Sequence, residues 1–263
     1  MAKVLKFWVG LGIATASTGI AAHAGLPHFS RSPTLLHMAA AGEAGESAKP
    51  AATSDDQPQF IASLALVEGH MRVGLALYKQ GRGDAAMVHM KHPADELYVS
   101  MKPMLEKRKA KGFADELEAL SMAIHKRSEP AQVDALFDKM KQAIVATRGD
   151  GEAVSAHAMT QAVLLLLQNA MSDYATGVVG NDVKVPKEYQ DAWGFVEAAK
   201  AIMADINAKE RAEHPGPLAE IDAALSGLDG LWPDLAGHVK LSADPHLLAV
   251  AAAKVELAGM AIK

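Results

Sequence analysis

QFIASLALVEGHMRVGLALYKQ, residues 59–80, places Leu64, Leu66, Val67, His70, Val73, Leu77 and Tyr78 at three- and four-residue intervals. That is the inward stripe of an α-helix, and Gly81-Arg82-Gly83-Asp84 then supplies the turn that ends it. The same period runs on toward the C-terminus. It predicts a short helix over 84–91 and another over 94–111, entered through Pro93, whose missing N–H costs nothing in a first turn. Pro103 should kink that second helix. Further helices are predicted over 113–126, 130–148, 151–176, 186–213, 218–231 and 245–262. No stretch alternates with period two for long enough to make a strand. The pattern therefore predicts an all-α fold, a bundle of roughly eight or nine helices spanning 59–263 as one domain, with Arg148-Gly149-Asp150-Gly151 as the turn at which two helical halves would part.

Upstream of the bundle the chain changes character twice. Lys3 and Lys6 precede an uncharged apolar run over 7–22, and Ala22-His23-Ala24 stands before Gly25. These are the three parts of a secretory signal, which predicts residues 1–24 as a signal peptide cleaved after Ala24. Ser17, Thr18 and Gly19 interrupt the run where a bilayer core would need apolar residues, and no cysteine follows to carry a lipid anchor. From 25 to 58 the sequence is rich in Ala, Gly, Ser and Pro without a period, the composition of a flexible linker. The expected location is periplasmic or secreted.

Composition narrows the function classes. With no cysteine, an exported domain is held by its core alone, without disulfides or thiolate metal sites. Half of the residues are hydrophobic but only 5% are aromatic, so that core must be built from Ala, Leu, Val and 13 Met. The formal charge of -5 becomes about -7 when Lys3 and Lys6 leave with the signal, and no basic stripe survives, which excludes a nucleic-acid partner. The motifs G-x-S-x-G, H-E-x-x-H, G-x-x-x-x-G-K-[ST], C-x-x-C-H and G-x-G-x-x-G are all missing, so the expectation is a protein that is not an enzyme.

Two clusters carry chemistry. In MVHMKHPADELY, residues 87–98, His89 and His92 lie three apart and Glu96 four further on, a spacing at which imidazole and carboxylate meet one ion. The turn at Gly81 folds the second helix antiparallel to the first, which brings His70 to the height of His89 and makes it the fourth candidate. A plain structural role fits the same residues: a buried His can donate to a carbonyl, and an acid near a helix N-terminus is favoured by the dipole. Met71, Met87 and Met90 flank the histidines, and thioether with imidazole is a copper(I) combination, although methionine is common throughout and fills cores well. His157, Gln161, Gln168 and Ser172 form a polar stripe on a Leu-rich helix, either a cavity lining or a solvent face.

The second cluster is Asp173-Tyr174 followed by DVKVPKEYQD, residues 182–191, with Phe195 beyond. A Leu-rich helix ending in DYATGV, a VVGNDVKV loop and then EYQDAWGFV is similar to the extracytoplasmic helical region of bacterial high-affinity iron permeases, over about residues 164–199. The chain lacks the permease's R-E-x-x-E motif, so the resemblance implies a helper of iron uptake rather than a transporter, with an inner-membrane transport component as partner. On that resemblance Asp173, Tyr174, Glu188 and Tyr189 match the motif. Capping is the competing explanation for Glu188, since Pro186 suits a helix start. The sequence thus predicts an exported, metal-associated helical protein, handling iron before copper, with His70, His89, His92, Glu96, Asp173 and Glu188 as ligands. An envelope protein that binds an apolar or lipid ligand, or a structural interaction module, is the alternative.

Overall fold

The computed structural model describes residues 57–149 and 154–262, apart from the side chains of His92, Ala94 and Asp95. The expected signal peptide and the linker up to residue 56 lie outside the described residues. Among those described the chain forms ten α-helices: α1 (Gln57–Lys79), α2 (Gly83–His92), α3 (Tyr98–Arg108), α4 (Ala114–His125), α5 (Pro130–Arg148), α6 (Ala156–Gly177), α7 (Pro186–Ala204), α8 (Ala208–Glu213), α9 (Pro215–Ser226) and α10 (His246–Gly259). A two-residue hairpin, β1 (Val178–Val179) with β2 (Asp182–Val183), joins α6 to α7. The fold is all-α.

Several boundaries differ from the periodicity, two of them for a plain physical reason. No break falls at His92: α2 passes through a π turn at Pro93–Leu97 directly into α3. Pro93 has no N–H to give the His89 carbonyl and its ring crowds that turn, so the helix widens for one turn instead of stopping. The helix expected over 186–213 divides, because Asn207 adopts extended backbone and its side chain accepts the Glu210 N–H at 2.9 Å, capping α8. An Asn that can bond the backbone this way favours a helix start over a helix interior.

α1 is the axis of the molecule. Ile61, Ala62, Ala65 and Leu66 join a core made with α6, α7, α9 and α10, while Phe60, Leu64, Val67, Met71 and Leu77 join a second core made with α2, α3, α4 and α5. A helix apolar on nearly every side must be buried on nearly every side. Among the described residues α1 alone is long and apolar enough to cross a membrane, but 78% of that window is buried in the bundle, so its apolarity serves the two cores. The polar stripe of α6 is its solvent face: His157, Gln168 and Ser172 are exposed, and the His157 ring bonds the Ile262 carbonyl at 2.8 Å.

Two glycine contacts fix how α7 lies. Where α1 crosses α7, a Cβ on Gly194 would stand 2.4 Å from the Gly69 carbonyl oxygen, and one on Gly69 would stand 2.7 Å from Phe195 Cδ1. Backbone meets backbone there, as only glycine permits. At the hairpin, the Lys184 and Val185 N–H groups both bond the Gly177 carbonyl, and a Cβ on Gly177 would fall 2.6 Å from the Tyr189 nitrogen. The first turn of α7 is thereby folded against the end of α6.

Candidate metal centre

These two contacts assemble the site. Gly69 is followed by His70 on α1, Gly194 lies three residues beyond Asp191 on α7, and Gly177 lies four beyond Asp173 on α6. The His70 ring sits edge-on to Phe195, 5.1 Å between centroids, and its Nδ1 is 2.7 Å from Asp191 Oδ1. α2, antiparallel to α1, brings the His89 ring to 6.4 Å from that of His70, and His89 Nδ1 lies 2.7 Å from the same Asp191 oxygen. Relative exposures of 0%, 1% and 0% for His70, His89 and Asp191 leave no water to carry the charge of the carboxylate. The two imidazoles do so instead, with the Lys187 ammonium 3.2 Å from the other carboxylate oxygen.

The hydrogen bonds fix where protons sit. Asp191 Oδ1 accepts from both Nδ1 atoms. His89 Nε2 faces Gln190 Oε1 at 2.8 Å, and the Gln190 amide is oriented by its own donation to the Leu235 carbonyl at 3.1 Å. Both nitrogens of His89 therefore meet oxygen atoms. Burial alone would raise the Asp191 carboxyl, but the His70 charge and the hydrogen bonds from His70 and His89 outweigh it and hold the group well below the ordinary carboxylate range. Two imidazole nitrogens and one carboxylate oxygen, now bridged by protons, form a donor set suited to iron(II), zinc or copper(II).

A second cluster shares Asp191. Asp173, Glu188 and Asp191 each offer an oxygen within 4.8 Å of the others. Asp173 is 8% exposed, and Glu188 is half-buried. The Lys187 ammonium stands 3.2 Å from Asp191 Oδ2 and 3.4 Å from Glu188 Oε1. Asp191 is thus a hinge between histidines on one side and acids on the other.

The structure brings together His70 with His89, and Asp173 with Glu188. Glu96 is exposed on the π turn and belongs to neither cluster among the described residues. The side chain of His92 lies outside the described residues. Tyr174 and Tyr189 face away from ligand duty. They pack with Trp232, and the Tyr189 hydroxyl faces the Leu231 and Asp234 carbonyls at 3.3 and 3.2 Å. Burial pushes both phenols up. Met71 and Met90 fill the core.

Asp191, Gln190 and Lys187 are the residues that spacing alone did not single out. A signal existed for Asp191. It stands four before Phe195 on the stripe that also holds Ala192, Val196 and Ala199, and an acid on a buried stripe needs a buried partner.

A cleft of about 700 Å³ between α1, α5 and α7 is a separate feature. Glu68, Arg72, Lys141, Glu197, Lys200 and Asp205 line it, and they are ion-paired within the protein, as in Arg72 with Glu68 and Lys200 with Glu197. Val145, Ala146, Ala201 and Ala204 also line it, and no methionine does.

Comparison with curated proteins and with solved structures gives no match. Residues 151–258, which span the expected resemblance over 164–199 and include Asp173, Lys187, Glu188 and Asp191 but neither His70 nor His89, match the family model of the iron permease-associated 4-helix bundle domain.

Proposed function

We propose that this chain binds a transition-metal ion, ferrous iron first, at His70, His89 and Asp191, as a non-enzymatic component of an iron-uptake system outside the cytoplasm. The convergence of two buried imidazoles on one buried carboxylate oxygen carries the reading. An ion that replaces the two bridging protons meets three ligands at once, and two imidazoles with a carboxylate form a set that iron(II) sites use. The match to the iron permease-associated domain supports iron among the candidate ions, and the burial of Met71 and Met90 in the core weighs against copper(I). Burial of all three ligands favours binding over catalysis. The partner on this reading is an inner-membrane transport component.

Calorimetry with ferrous ion under anaerobic conditions, and with ferric, zinc and cupric ions, tests the assignment. Binding at one equivalent per chain is expected, with protons released and with the melting temperature raised by mass action. Asp191→Asn should abolish it. Equal binding by parent and Asp191→Asn would overturn the site. Sequencing of the exported protein should begin at Gly25, and a soluble form that starts at Met1 would overturn the location.

A further inference from the structure

A site whose ligands are all buried needs a way in. The Asp191 carboxylate supplies it, because one of its oxygens serves the histidines and the other points into the acidic cluster. That second oxygen, Oδ2, is buried, and what stands against it is the Lys187 ammonium in an ion pair. Beyond it lie Glu188, half-buried, and Lys187, whose side chain is 34% exposed. Three carboxylates with oxygens this close repel one another unless a cation stands among them. The Lys187 ammonium fills that need, 3.2 Å from Asp191 Oδ2 and 3.4 Å from Glu188 Oε1, on a flexible stem that reaches solvent.

We propose that Asp173, Glu188 and Asp191 form a second cation site, the entrance to the buried one, and that Lys187 is the ammonium that occupies it until a divalent ion displaces it. The proposal rests on the metal-binding reading given above. It follows from charge and reach. An ion approaching from solvent meets Glu188 first, exchanges with the ammonium as Lys187 swings outward, and passes along Asp191 to the imidazoles. Lys187 therefore sets both the affinity and the speed of loading. Removing its charge should favour a metal ion at the same acids, while a guanidinium in its place keeps the competition.

The test compares parent, Lys187→Met, Lys187→Arg and Asp191→Asn by calorimetry and stopped-flow mixing with ferrous and zinc ions. Lys187→Met should bind at least about tenfold more tightly and load faster, because a like charge a few ångströms from the ion is gone. Its metal-free form should melt lower and its metal-bound form gain more than the parent does. Lys187→Arg should stay within about threefold of the parent, since its charge is kept. Should Met at 187 prevent folding, Lys187→Gln is measured in its place. A parent that binds metal alongside a Lys187→Met protein that binds no more tightly and no faster sinks the inference alone. If neither parent nor variant binds, the metal reading falls and the inference with it.

Discussion

Gly194→Ala adds one methyl group at the point where α1 and α7 touch backbone to backbone. Its Cβ would stand 2.4 Å from the Gly69 carbonyl oxygen and 2.7 Å from Val73 Cγ2, about 1 Å short of an ordinary 3.4 Å contact. Neither the Gly69 backbone nor the buried Val73 is a loose end that can rotate away, so the helices must separate. Overpacking of this kind costs about 1–3 kcal/mol. Separation also stretches the 2.7 Å bond between His70 and Asp191, and a weakened hydrogen bond to a buried charged group costs about 1.5–3 kcal/mol more. Helix propensity returns about 1 kcal/mol. The net expectation is a loss of about 1.5–5 kcal/mol, read as a lower urea midpoint with an unchanged slope, together with weaker metal binding. Gly216→Ala is the control: nothing lies within 4 Å of its Cβ, so it should be neutral or stabilising by up to about 1 kcal/mol. A Gly194→Ala protein as stable as the parent, with metal affinity intact, would refute the argument that this crossing positions the site.

Other outcomes follow from single side chains. Asp191 is held below the ordinary carboxylate range in the fold, so the unfolded chain binds more protons there; its contribution is complete above about pH 3.9 and is lost as the pH falls further, and Asp191→Asn should flatten that acid limb of the urea midpoint. The same substitution leaves two buried imidazoles without their counter-charge and should cost about 3–5 kcal/mol at neutral pH in thermal or urea unfolding. Tyr189→Phe removes hydroxyl contacts to two backbone carbonyls and should cost about 1 kcal/mol in urea unfolding while leaving metal affinity alone by calorimetry. Glu96→Ala, exposed and outside both clusters, should change metal affinity by less than about twofold, within the scatter for distant sites.

Much of this molecule is legible from local pattern. The α1 stripe, the turn at Gly81 and the antiparallel approach of His70 and His89 all follow from a 3.6-residue period and a short connection. Asp173 and Glu188 were visible because a helix end, a loop and a helix start sit between them. What stayed hidden depends on contacts distant in sequence. Nothing in the neighbourhood of Gly69 or Gly194 says that these two glycines meet, and that meeting is what places Asp191 against the histidines. Pro93 misled in the opposite way. As a helix starter it put Glu96 in the first turn of a new helix, whereas the chain absorbs it in a π turn on which Glu96 is exposed. The split at Asn207 was legible in principle, since Asn with an acid three residues later is a cap signal.

α1 lends one side to each of two cores, and the candidate ligands straddle it: His70 and His89 come from α1 and α2, Asp191 from α7 beyond the crossing. An ion held by all three would act as a rivet through a seam. Without it, the α2–α5 layer and the α6–α10 layer can loosen at separate thresholds, and amide exchange would report two protection plateaus. With it, the seam opens only when the rivet is pulled, and the two plateaus should merge into one.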